Sequence, residues 1–340
     1  MLPPASANST ARVNVGSLAM SFLEVRIPIS PRPDFFNRVR LIANSIRSLG
    51  PNYATTKFRV SIGADERPFD LHVALPWSTS LDIEWVWVDR EEFNLWRGTT
   101  HAYIATMMDR FKPPFGADNV LMIDADVIAM RPFDELIEFV NAGRGGIGAV
   151  MAHVSPFNGM VHQGTWTKLY RDFGLGDTSF AYEHSGWPAM SGARYSPPYF
   201  NTGVVCAPAT VLTEFHGRYI SALQFVRQQL DSYYFEQIAM TLALDKTDRL
   251  LPALPVRYNF PNQVEFDRLY PDELKNVTFL HFLRTEVVDR GCDFADLTAM
   301  TRLAERRDLS GSNEAFRGRL AALLPLMNGL SGLSAHHEEP

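Results

Sequence analysis

"VLMIDADVIAMRPF", residues 120–133, joins an apolar run to two acidic residues, Asp124 and Asp126. A short uninterrupted apolar run suits a strand covered on both faces. If the chain stays extended through residue 126, both carboxylates point to one face, about 7 Å apart along the backbone. Two unpaired carboxylates about 6 Å apart repel by about 3 kcal/mol at an effective dielectric of about 20. A divalent cation between them removes that repulsion, and carboxylate oxygens favour Mg²⁺ or Mn²⁺. The place is apt, because open α/β sheets bind ligands beyond the carboxyl ends of their strands. The alternative is a solvated turn whose acids pair with Arg131 or the next helix. An Asp-x-Asp triplet alone does not separate the two readings.

Strand and helix signals surround this stretch. "MSFLEVRIPIS", "KFRVSIGA" and "LDIEWVWVD" read as strands, and "FFNRVRLIANSIRSLG" as a helix with Asp34 at its N-cap. A helix around "THAYIATMMDRF" leads into "VLMID"; "IGAVMAH", "YFNTGVVCAP" and "TFLHF" are later strands. "ATVLTEFHGRYISALQFVRQQL" and "YYFEQIAMTLALDK" read as helices, and residues 155–198 as loops with short helices. This order predicts an α/β fold, a mixed and mostly parallel sheet sandwiched by helices. The expected organisation is a disordered tail over 1–17, one domain over 18–295, and a helical C-terminal extension and tail over 296–340.

The 340 residues can bury a sizeable core. With 46% hydrophobic and 21% charged residues and a net charge of −6, the chain fits neither a nucleic-acid binder nor an anionic-membrane surface. Cys206 and Cys292 have no metal-type spacing and read as reduced thiols. The start has no basic-then-apolar signal pattern, and no apolar run approaches the roughly 20 residues that span a bilayer. A cytoplasmic protein, or one peripheral to a membrane, is expected.

"VLMIDADVIAMRPFDEL" resembles the metal-binding region of GT-A glycosyltransferases, in particular family 8 and its relatives. Further stretches match in order: "YFNTGVVCAPATVL", "YYFEQIAMTLAL", "LPVRYNFP" and "FLHF". The resemblance runs from about residue 20 to 290, by layout alone in the first hundred residues. It implies a GT-A, Rossmann-like fold and transfer of a sugar, in many members from a UDP-sugar, to a glycan, lipid-linked or other hydroxyl acceptor. It also implies a bound Mn²⁺ or Mg²⁺ and, as in family 8, retention of anomeric configuration.

Carried over by position, Asp124, Asp126 and His281 would be the metal ligands, with Asp124 also touching the ribose. Ala125 would face the nucleotide-sugar, Asn201 the hydroxyls of the donor sugar or the acceptor, and Gln237 the reacting sugar carbon. Glu236 stands where the family usually has Asp, and His153 where an acidic residue commonly binds the donor sugar. Asp65, Pro28 and Ser30 would form the base pocket. The family's late "KPW" triplet is missing from "HFLRTEVVDR", so Arg284 or Arg290 would replace its lysine. The "Y.R" before the metal strand is degraded. For each residue a bland role competes: a core histidine at 281, a turn residue at 201, a helix-surface pair at 236 and 237.

Other classes remain as rivals. A haloacid-dehalogenase-type phosphatase shares the strand-then-Asp-x-Asp pattern, with the first Asp as nucleophile, but its motif sits near the chain start. A sugar-nucleotide pyrophosphorylase would need a Gly-rich loop where "RIPISPRPDFF" has no glycine. An inverting GT-A enzyme, or a non-catalytic nucleotide- or glycan-binding relative, keeps the same fold.

Overall fold

The computed structural model describes residues 23–63, 68–96, 104–157, 161–187, 189–190, 192–283 and 286–329. Strands β1 (Leu23–Ile29), β2 (Lys57–Ile62), β3 (Ile83–Trp87), β4 (Asn119–Ile123), β5 (Val127–Ala129), β6 (Gly148–Met151), β7 (Tyr182–Glu183), β8 (Tyr195–Ser196), β9 (Phe200–Pro208), β10 (Phe260–Pro261) and β11 (Phe279–His281) follow in chain order. The central sheet has six strands in the order β3-β2-β1-β4-β9-β6. Strands β3, β2, β1 and β4 are parallel, and β9 runs antiparallel to both its neighbours. A mixed, mostly parallel sheet is therefore present, with "VLMI" in its interior.

The apolar run of β4 has a simple cause. Leu121 and Ile123 point into one core, which includes Val25, Ile27 and Val39. Val120 and Met122 point into the other, with Leu212, Tyr219 and Ile238. Side chains alternate between faces, and both faces are covered, so the four positions Val120 to Ile123 are all apolar. Strand β9 repeats the pattern, with Val204 and Cys206 on one side and Val205 and Ala207 on the other.

The extended reading of residues 120–126 needs correction. Strand β4 stops at Ile123, and Ala125 and Asp126 lie in a turn closed by Val127 N–H donating to the Asp124 carbonyl at 3.2 Å. The chain turns because β5 belongs to a second sheet, ordered β10-β11-β5. The two carboxylates thus converge by a change of sheet, not by the period of one strand.

Other boundaries also shift. Asp34 is not an N-cap: the helix Pro33–Arg47 starts before it, after Arg32. Its carboxylate instead accepts from Arg38 Nη2 and Arg32 Nε, each at 2.9 Å. The helix before β4 is Ile104–Asp109. The 155–198 stretch holds the helix His162–Asp172 and the hairpin of β7 and β8. The C-terminal segment is helical, Leu297–Glu305 and Gly311–Gly329. Phe316, Leu320, Leu323 and Met327 enter the same core as β1, β5 and β11. There they back the site: the Phe316 ring lies 4.9 Å from that of Phe282, the residue after His281.

Candidate active site

Asp124 follows β4 at the carboxyl edge of the sheet, and its N–H donates to the Gly203 carbonyl at 3.0 Å. Asp126 precedes β5, whose Val127 lies opposite His281 of β11 in antiparallel register. The Phe282 N–H closes the junction on the Asp126 carbonyl at 2.9 Å. Residues 155 apart in sequence are thereby neighbours: His281 Nε2 lies 3.1 Å from Asp126 Oδ1. One oxygen or nitrogen from each of Asp124, Asp126 and His281 falls within 4.8 Å of the others.

Two hard carboxylate oxygens and an imidazole nitrogen form a donor set that Mn²⁺ or Mg²⁺ accepts. Asp126 and His281 are buried, while Asp124 keeps 27% of its side chain exposed. The group therefore fits a cation that remains open to solvent or substrate on the Asp124 side.

Three arginines balance the acids. Arg110, with no solvent exposure, donates to Asp124 Oδ1 at 3.0 Å and to Glu236 Oε2 at 3.2 Å. Arg290 pairs with Asp126 Oδ2. Arg38, buried against Asp34, adds positive potential at Asp126. Burial would raise the Asp126 carboxyl, but His281, Arg290 and Arg38 outweigh it and hold it below the usual carboxylate range. Burial raises Asp124 and Glu236 above that range, and Arg110 opposes it in both. His281 is raised: burial works against its charge, and Asp126 more than compensates.

Glu236 sits in the first turn of the helix Phe235–Leu244, where the helix dipole favours an acid. Both its oxygens are engaged, since Oε1 also accepts from Thr202 Oγ1 at 2.8 Å. Gln237 follows on the same turn and is half-buried. Asn201 is the second residue of β9; its Oδ1 accepts from the Gly203 N–H at 2.7 Å and from Asn259 Nδ2 at 2.9 Å. Ala125 is buried in the turn. His153 lies just beyond β6, its Nδ1 2.8 Å from Ser185 Oγ and its ring 4.6 Å from that of Phe266. Pro28 pairs with Ser61 inside the sheet, and Ser30 follows β1 at its carboxyl edge. Asp65 and Arg284 lie outside the described residues.

Three partners had no role in the sequence reading: Arg110, Thr202 and Asn259. Arg110 lies in the degraded "MMDR" stretch, and Asn259 in "LPVRYNFP". Their types gave no sign that they would be buried beside the acids.

Residues 107–248 match the family described as the Rhodobacterales glycosyltransferase domain. Among solved structures, the galactosyltransferase LgtC in complex with donor and acceptor sugar analogs aligns with 89% of this chain and 95% of its own, at 16% identity and a TM-score of 0.51. That likeness establishes the fold. The chain carries a glycosyltransferase domain on a GT-A fold. The glycosyltransferase GlyE of Streptococcus pneumoniae TIGR4 aligns with 92% of this transferase and 64% of its own chain, at 11% identity and a TM-score of 0.49. Mouse xyloside xylosyltransferase 1 aligns with 77% of the transferase and 97% of its own chain, at 14% identity and a TM-score of 0.47. No curated protein matches the transferase in sequence. Among the described residues, no helix is long and apolar enough to cross a membrane.

Proposed function

We propose that this enzyme is a metal-dependent transferase that moves a sugar from a UDP-linked donor to a hydroxyl acceptor with retention of anomeric configuration. The observation that carries the reading is the meeting of Asp124, Asp126 and His281 at the carboxyl edge of the sheet, within 4.8 Å of one another. These residues would hold Mn²⁺ or Mg²⁺. When bound, the cation supplies Lewis-acid stabilisation of the charge that develops on a departing diphosphate.

The protein's own groups have separable roles. Arg110 orients Asp124 through its Oδ1 and keeps it from leaving the cluster. Arg290, at 38%, is the most exposed of the three arginines around the acids. It takes the part of the missing lysine by turning from Asp126 to the diphosphate. Ser30, with Asp65, contributes to the nucleoside side. Gln237 faces the sugar and stabilises positive charge at its anomeric carbon through its amide oxygen.

An inverting mechanism needs a base opposite the leaving group, to deprotonate the acceptor in line. Glu236 is the carboxylate nearest to that role in sequence, yet Arg110 and Thr202 take both its oxygens. A carboxylate so bound is a scaffold for Arg110 rather than a free base, which favours retention. The acceptor is a glycan, a lipid-linked sugar or another hydroxyl compound, and a cytoplasmic or membrane-peripheral setting accords with the composition.

The test is a screen of nucleotide-sugars for slow hydrolysis with and without Mn²⁺, which needs no acceptor. Release of UDP that depends on Mn²⁺ and is lost in Asp126→Asn supports the reading. Equal release with and without metal, or hydrolysis confined to phosphomonoesters, overturns it.

A further inference from the structure

The amides around His281 can be oriented by hydrogen-bond logic, starting from one backbone group. A backbone N–H only donates. The Gly203 N–H meets Asn201 at 2.7 Å, so the Asn201 atom there is its oxygen. That oxygen also meets the Asn259 amide at 2.9 Å, so the Asn259 atom facing it is the nitrogen. The other Asn259 atom is then an oxygen, and it lies 3.0 Å from His281 Nδ1. An amide oxygen only accepts, so Nδ1 carries the proton. In the neutral ring Nε2 is left with a bare lone pair, and it lies 3.1 Å from Asp126 Oδ1.

Resting on the metal reading above, we propose that Asn259 is a positioning residue for the cation. Tied through Asn201 to the Gly203 backbone, it holds His281 as the Nδ1–H tautomer with Nε2 as the ligand.

The surroundings enforce the arrangement. Asn259 is fully buried, so water does not compete for its amide. Gly203 cannot carry a side chain: a Cβ there would lie 2.6 Å from His281 Cε1 and 2.8 Å from Asn201 Oδ1. The imidazole is thus pressed against the β9 backbone on one side and bonded to Asn259 on another. A histidine ligand oriented through its second nitrogen is a common device, and loss of the orienting group weakens metal binding about 10- to 100-fold. Here the orienting group is itself oriented, which prevents the Asn259 amide from flipping and presenting its nitrogen to the ring.

This assigns Asn201 a task different from the sugar contact expected of it. Its oxygen already has two partners, so only its nitrogen could address a sugar hydroxyl.

Two readouts test the proposal without turnover. Long-range proton–nitrogen NMR correlations report the His281 tautomer in metal-free protein at a pH where the ring is neutral. Loss of the free Mn²⁺ signal in electron paramagnetic resonance reports metal affinity. The wild type should show the Nδ1–H form. Asn259→Leu should lose it and bind Mn²⁺ about 10- to 100-fold more weakly. Asn201→Asp keeps both acceptor bonds and should keep the tautomer. If Asn259→Leu does not fold, Asn201→Leu, at a half-buried position, replaces it and should give mixed tautomers. An Nε2–H form in the wild type overturns the proposal, as does unchanged Mn²⁺ affinity in a folded Asn259→Leu. Failure of the wild type to bind Mn²⁺ or Mg²⁺ at all overturns the metal reading instead, and is distinguished because the tautomer still responds to the substitutions.

Discussion

Arg110 lies wholly buried with its Nη1 3.0 Å from Asp124 Oδ1. Its Nη2 holds Glu236 at 3.2 Å, so one guanidinium joins Asp124, just after β4, to the helix that carries Gln237. Removing one partner of a buried ion pair is costly, because the remaining charge stays desolvated. Arg110→Leu should destabilise the enzyme by about 3–5 kcal/mol in urea unfolding. The exposed part of Asp124 softens the loss on that side, so most of it falls on Glu236. Glu236→Gln in the Arg110→Leu background should recover part of it, and strictly additive losses would contradict the coupling.

Asp126→Asn should abolish Mn²⁺-dependent UDP binding in calorimetric titration. It should also cost stability, more than a surface substitution would, because Asp126 is bonded to both His281 and Arg290. About 1.5–3 kcal/mol is expected for hydrogen bonds to a charged group. The folded carboxyl is lowered, so its contribution is present above the unfolded value of about 3.9 and is lost as pH falls through the lower folded value. Wild type and variant should therefore differ at neutral pH and converge in strong acid. Full metal-dependent UDP binding by the variant would remove Asp126 from the ligand set.

His184 is a second source of acid sensitivity, away from the acids. It is buried, its Nδ1 bonds the Ala152 carbonyl at 3.1 Å, and burial lowers its pKa from 6.5 to about 4. The unfolded chain takes up this proton between the two values while the folded chain does not. Stability is complete above about 6.5 and falls as pH drops towards 4, by about 3 kcal/mol at roughly 1.4 kcal/mol per unit. His184→Gln should flatten the stability–pH curve by about one proton over that window. An unchanged slope would show that the ring is solvated.

For an α-linked donor, the product should be α-linked, read from its anomeric coupling constant by NMR. Glu236→Gln keeps one oxygen to accept from Arg110 and turns its amide N–H to Thr202 Oγ1, which then accepts, so turnover should fall without a change in the product's configuration. Gln237→Ala should lower kcat more than it raises KM, since the amide acts on charge that develops during transfer. A β-linked product would make Glu236, or another base, the residue that activates the acceptor.

Local sequence carried much of the architecture. The apolar run of β4, the alternation hidden in β9, and the long helices after β9 were all readable from pattern and length. Asp124 and Asp126 were readable as a pair because two acids at the end of a buried strand need a positive partner. The element ends were less legible: the turn at Ala125–Asp126 and the true start of the helix Pro33–Arg47 depend on which sheet and which arginine the chain meets.

The sequence by itself determined that a strand covered on both faces is followed by two carboxylates, since hydrophobic periodicity is a local property. It also marked His281 and Asn201 as residues of interest, through motifs in a recognisable order. Only the tertiary structure decided what those residues touch. Pairing of β5 with β11 brings His281 to Asp126, and burial of Arg110 and Asn259 converts two unremarked polar residues into the partners that orient the acids and the imidazole. The physical reason is range: side-chain alternation is set within a few residues, whereas desolvation and hydrogen-bond orientation are set by groups from 14 residues away, as Arg110 is from Asp124, to 155, as His281 is from Asp126.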